Sequence, residues 1–321
     1  MDELELYKRA TENIKITLEE IKRKDPFLYQ NMHSIYEVID RIPQSCFERN
    51  LYGSLPRCSI EQCIIFVRKF LRLCNKKYEK KFIDDLKNNR IVIDNESRDY
   101  CSYTVNKNKE IDYRVHIQQT GTIRDCLKLI HEYFHVLNLN KSYFRYAMTE
   151  SISITAEVLF LDFLKKENQS EYDLGLISIN RKYCFKNNCD YLKLLFPLYL
   201  QILTNGKIDE NTYEERIKDL IKKDTFLSFL DFEIINENEQ KRFSNIGIYK
   251  HCLGYIYACA FHEKGYKEKK LSITNDCLKQ LKERRFAKII DSDIIMSYPY
   301  SFIEKEFDRY MPNQYKKQKL S

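Results

Sequence analysis

The run His131-Glu132-Tyr133-Phe134-His135 limits what this chain can fold into more than any other stretch, because it makes one demand of the backbone. Two histidines four residues apart stand one above the other on a helix, whereas a strand would hold them roughly 13 Å apart. The preceding Cys126-Leu127-Lys128-Leu129-Ile130 has the mixed apolar and polar pattern of an amphipathic helix, so the spacing has the local context it needs. A zinc ion can then sit between His131 and His135. Glu132 falls beside the ion, placed to take a proton from a water whose pKa the metal lowers.

Five residues are a short motif, and the third ligand adds the weight. Glu150 lies nineteen positions after His131, in a segment running from Tyr146 to Glu157 and beyond that reads as a second helix. Its apolar Ile152, Ile154, Ala156 and Val158 alternate with small Ser and Thr, which let two helices approach closely. A turn of about eight residues around Asn138 to Ser142 is long enough to bring the chain back, so that Glu150 meets the HExxH helix. Glu157, two turns after Glu150, shares its face and is placed to orient a ligand histidine through the second ring nitrogen. Two His, one Glu and a water make the open site of a catalytic zinc, whereas a structural site fills all four positions with protein. One zinc ion is the expected cofactor.

Eleven cysteines, from Cys46 to Cys277, include no CxxC pair and are odd in number, which argues against a cysteine metal site and against a disulfide framework. With no signal-peptide pattern and no apolar run of membrane length, a cytoplasmic setting with reduced, buried thiols is expected, although secretion as an effector stays open. The net charge of +7 is spread along the 321 residues rather than blocked. It reads as solvated surface, with no nucleic-acid partner and no membrane association expected.

Sparse turn punctuation, with seven Gly and six Pro, predicts a mostly helical chain. Residues 1–56 carry the periodicity of a short helical arm, in Leu6, Ile14, Leu18 and Ile21 and then Tyr36 and Ile39. A catalytic domain is expected over 57–311 and a basic tail over 312–321. Ser59 caps a helix whose apolar side is Ile64, Ile65, Val67, Phe70 and Leu71, and a second amphipathic segment runs from about Lys77 to Lys87. The period then changes. Arg90 to Ile93 is β-prone, and Tyr100 to Val105 and Asp112 to Ile117 read as a hairpin around Asn106 to Lys109. An edge strand directly before the HExxH helix is expected, to which an extended peptide can pair through main-chain hydrogen bonds. His116, on that strand, is read as an ordinary strand histidine or a polar substrate contact.

Taken together, these segments resemble the oligoendopeptidase F and thimet oligopeptidase family of zinc peptidases. The resemblance rests on the helix pair Ser59 to Asn88, on Arg98-Asp99-Tyr100-Cys101-Ser102 (similar to the family's Gly-Ala-Tyr-Cys), on the strand Tyr113 to Gln118, and on Gly121-Thr122-Ile123-Arg124-Asp125. Glu150 to Glu157 resembles that family's third-ligand helix. Tyr249 to Ala258 resembles its Tyr-rich segment, which implies Tyr255 and Tyr257, with His251 as a second donor, for holding a tetrahedral oxyanion. The likeness covers residues 57 to about 265, the catalytic lobe. Phe134 stands where the family usually has Gly, and its bulk is expected to narrow the groove or shift a neighbouring helix.

The expectation is therefore a mainly α fold with a small β-sheet, a zincin-like (gluzincin) catalytic domain. Zinc on His131, His135 and Glu150 would activate water, Glu132 would act as general base, and the substrate would be an oligopeptide or flexible segment. Two alternatives stay open: a zincin-fold binding protein without turnover, and an effector or toxin-type protease acting on one specific protein. Oligomeric state is not legible.

Overall fold

The computed structural model describes residues 57–96, 99–108, 111–138 and 146–167 continuously, with parts of 11–40 and 189–211 and residues 55, 251, 254 and 255. The chain forms two compact units. One is built from Met1–Cys46, Arg145–Ala147 and Cys184–Leu253, the other from Phe47–Phe144, Met148–Tyr183 and Gly254–Ser321.

In the first unit, Ile14, Leu18 and Ile21 are all buried, as their three- and four-residue spacing requires of one helix face. Helix α1 (Pro26–Gln30) opens on a proline, whose missing N–H would have had no helical partner there, and α2 (Met32–Asp40) follows after one residue. Tyr36 of α2 packs its ring 6.0 Å from that of Phe196, in a further helical stretch over 196–205.

The second unit carries the candidate site. Helix α3 (Ile60–Cys74) starts where Ser59 Oγ accepts a hydrogen bond from the Gln62 N–H at 3.2 Å, the cap expected from sequence. Asn75 ends α3 and caps α4 (Lys76–Lys87), its Oδ1 accepting from the Lys77 N–H at 2.9 Å. Strands β1 (Ile91–Asp94), β2 (Tyr100–Val105) and β3 (Ile111–Gln118) then form one sheet.

Sheet order is β1-β3-β2, and this corrects one expectation. β3, the strand directly before the HExxH helix, is central: it pairs in parallel with β1 (Val92 opposite His116) and antiparallel with β2 (Tyr103 opposite Tyr113). The edge on the helix side is β2, one strand earlier in the chain. Along β3, Tyr113, Val115 and Ile117 are buried while Asp112 and Arg114 are exposed, the period of two of a sheet with one covered face. His116 falls on the uncovered face, its ring stacked 4.4 Å from that of Tyr100 across the strand pair.

Helix α5 (Arg124–Asn138) carries the HExxH run and covers β3 and β2 while packing against α3. Its start is tightly specified. Gly121 adopts φ +68°, where a side chain would strain the backbone, and Thr122 Oγ1 accepts from the Arg124 N–H at 3.3 Å. Asp125, 1% exposed, reaches back to accept from the Gly121 N–H at 2.8 Å and the Thr120 hydroxyl at 2.6 Å. This reciprocal satisfaction of orphan amides is of the capping-box kind. Helix α6 (Tyr146–Lys166) closes the layer: Phe160 and Phe163 pack on Phe70 of α3 with ring centroids 5.4 and 5.9 Å away.

Phe134 lies in this core, 2% exposed, with its ring between Phe70 and Tyr78. Its bulk is absorbed by α3 and α4. Among the described residues the cysteines are all free thiols, mostly buried, and no helix is long and apolar enough to cross a membrane.

Candidate metal centre

The side chains of His131 and His135 project from one face of α5, and Glu150 reaches them from the second turn of α6. His131 Nε2 lies 3.2 Å from His135 Nε2 and 3.1 Å from Glu150 Oε2, and His135 Nε2 lies 3.6 Å from the same oxygen. Ligands held about 2.0–2.1 Å from a tetrahedral ion stand about 3.3–3.4 Å from one another, so the three edges have the lengths a zinc-sized ion needs. Among the described residues this is the one group of three or more His, Cys, Asp or Glu side chains with converging donor atoms.

What stands behind each ring fixes which nitrogen faces the centre. Glu157 Oε1 lies 2.6 Å from His131 Nδ1. A carboxylate only accepts, so Nδ1 carries the proton and the Nε2 lone pair is turned toward the other ligands. Ser153 Oγ stands 3.3 Å from His135 Nδ1 and holds the orientation of the second ring, though a hydroxyl can donate or accept and does not set its tautomer. The sequence assigns Glu157 this orienting role, whereas Ser153 stands out there as a small residue and as the Ser of a Glu-x-x-Ser pattern resembling the family's third-ligand helix, without a partner. Its signal was the three-residue step from Glu150, which puts both on one face.

The field of the site favours positive charge. Burial works against a charged His131, yet Glu150 and Glu157 together outweigh it and hold its pKa well above the ordinary histidine value. A proton there and a cation among the ligands answer the same negative potential. Glu132 sits beside these groups, and burial raises its pKa. The neighbouring His131 and His135 draw it back, Glu150 and Asp99 push it up again, and the balance lies above the usual carboxylate range. That is the direction a general base working near neutrality requires.

The edge strand comes close to Glu132. Burial, helped by the Glu132 charge, pushes the Cys101 thiol of β2 up to about 12, and Cys101 pairs with Val115 on the face of the sheet that α5 covers. Behind α5, Asp85 of α4 is 1% exposed and accepts from the Tyr133 hydroxyl at 2.9 Å and the Tyr113 hydroxyl at 2.6 Å, pinning the residue after Glu132 and the central strand to one carboxylate. Sequence reasoning did not find this anchor, because three partners far apart in the chain carry no local pattern.

Of the remaining site candidates, Tyr255 is 8% exposed and belongs to the same compact unit as α5. His251 is exposed and belongs to the other unit, and Tyr257 lies outside the described residues.

No protein-family model and no curated protein matches the sequence. In three dimensions the chain is similar to the solved structure of a "putative peptidase" from Chlamydophila abortus, with a TM-score of 0.55 and 16% identity. The similarity covers 92% of this chain and 55% of that one, so this chain spans about half that protein's length. A likeness at this identity shows a shared fold. The fold is mainly helical with a small three-stranded sheet, in agreement with a zincin-like domain.

Proposed function

We propose that this chain is a zinc metalloendopeptidase of the oligoendopeptidase F kind, hydrolysing peptide bonds in oligopeptides or flexible segments. The observation that carries this reading is the triangle of His131, His135 and Glu150, whose edges of 3.1, 3.2 and 3.6 Å suit one zinc ion and leave a fourth position to water. Similarity in fold to the "putative peptidase" of Chlamydophila abortus supports the reaction class.

His131, His135 and Glu150 would hold a zinc ion, which when bound would supply Lewis acidity toward a water and a carbonyl. Glu132 takes the proton of the attacking water and passes it to the leaving amine. Glu157 and Ser153 keep His131 and His135 oriented. The outer side of β2, which has no strand partner among the described residues, pairs with an extended peptide, bringing its scissile carbonyl past Cys101 toward Glu132. Tyr255 or Tyr257 donates a hydrogen bond to the developing oxyanion.

Metal content, measured together with cleavage of a quenched peptide library, tests this reading, with Glu132→Gln as the paired variant. The expected result is near-stoichiometric zinc in both proteins, with turnover in the variant lower by about 10²–10⁴-fold. Zinc without cleavage in the parent chain would favour a zincin-fold binding protein. A chain that takes up no zinc would overturn the site.

A further inference from the structure

Where the β2–β3 ladder ends, at Tyr100 opposite His116, a side chain takes over the pairing. Asp99 Oδ1 accepts from the Gln118 N–H at 2.9 Å, although the two residues are nineteen apart in sequence. The other carboxylate oxygen of Asp99 lies 2.9 Å from Lys128 Nζ, and that ammonium donates in turn to the Gln118 carbonyl at 3.0 Å. Asp99, Gln118 and Lys128 thus close a three-cornered ring joining the start of β2, the end of β3 and the flank of α5. The Lys128 side chain is 12% exposed and that of Asp99 32%, so the pair is partly shielded from water and its hydrogen bonds are charge-assisted.

The position of this ring gives it a consequence. Lys128 precedes Glu132 by one helical turn and shares its face of α5. The charge of Asp99 reaches Glu132, and the charge of Glu132 reaches Cys101, the second residue of β2. The ring therefore fixes the first turn of the edge strand relative to the general base. β2 is otherwise held on one side only among the described residues, being the outer strand of the sheet.

We propose that the Asp99–Lys128–Gln118 ring is a latch that sets the free edge of β2 against Glu132, making Asp99 and Lys128 positioning residues for extended peptides. This rests on the hydrolase reading above. Without the latch, the first residues of β2 are free to fray from the end of β3 and shift against α5, and a peptide paired with them carries its carbonyl off line. A substrate too short to pair with the strand does not depend on this register.

The test uses the full chain loaded with zinc, and the variants Lys128→Met, Asp99→Asn, their combination, and Lys128→Arg. Quenched peptides of three and of eight or more residues are compared through kcat and KM. The expected result is that the ratio of kcat/KM for long over short peptides falls about tenfold in either single variant, chiefly through KM. The double variant falls no further than the singles, and Lys128→Arg recovers most of the loss. A structural role alone would lower both peptides together and would show in the melting temperature and zinc content. An unchanged ratio, or single-variant losses that simply add, would overturn the latch.

A second readout separates this proposal from the hydrolase reading. Binding of the long peptide to the Glu132→Gln protein, followed by fluorescence anisotropy, reports strand pairing without turnover. Weaker binding when Lys128→Met is added supports the latch even if the parent chain cleaves nothing. Equal binding refutes it whether or not the chain is a hydrolase.

Discussion

What separates His131 and His135 from surface histidines is the pair of groups behind them, since these decide which ring nitrogen faces the centre. Replacing Glu157 by Gln leaves a partner for Nδ1 but removes a full charge 2.6 Å from His131. Zinc affinity is expected to fall about 10–100-fold, measured by competition with a chromogenic chelator. Ser153→Ala is expected to cost less, because its contact with His135 is longer and uncharged. Much of this was legible beforehand. His131 and His135 are four residues apart on one helix and Glu150 and Glu157 seven apart on the next, so the pitch puts each pair on one face of its own helix, and the packing of the helices brings the two faces together. Ser153 and Asp85 were not legible in their roles. A buried serine in a helix reads as a packing residue, and a carboxylate that meets Tyr113 and Tyr133 across long stretches of chain leaves no periodic trace.

At the scale of elements, Phe70 of α3 joins the layers. Its ring meets Phe134 of α5 and both Phe160 and Phe163 of α6, and it is 2% exposed. Phe70→Ala is expected to destabilise the second unit by about 3–5 kcal/mol, read from a urea denaturation midpoint. Because α5 and α6 each supply part of the metal triangle, the same variant should bind zinc more weakly although it touches no ligand. Helix boundaries and the hairpin followed from capping residues and from alternation, which are local signals. The order of strands did not. Alternation marks Tyr113, Val115 and Ile117 as inward-facing, but it does not say which flank of β3 receives β1, and the parallel pairing of Ile91 with Val115 is a long-range choice. For that reason the edge facing the site turned out to be β2 rather than β3.

For the whole molecule, the His131, His135 and Glu150 triangle joins α5 to α6, so an ion bound there would be linked to folding. At a free zinc concentration 1,000 times the dissociation constant, linkage adds about 4.1 kcal/mol, which calorimetry should show as a higher melting temperature. This gain has a definite dependence on pH. The metal-free pKa of His131 is raised, so below that value a proton holds the position the ion needs, and zinc stabilisation is full above it and lost as pH falls through it. Titrating the zinc-dependent shift in melting temperature from pH 8 downward checks the direction. The strand order has one more consequence, for the order in which the sheet is assembled. β2 and β3 are neighbours in the chain and can zip together within microseconds, whereas β1 must wait for a partner that arrives only after β2 has been passed over. The working edge is then complete early, and the far side of the sheet is the last to close.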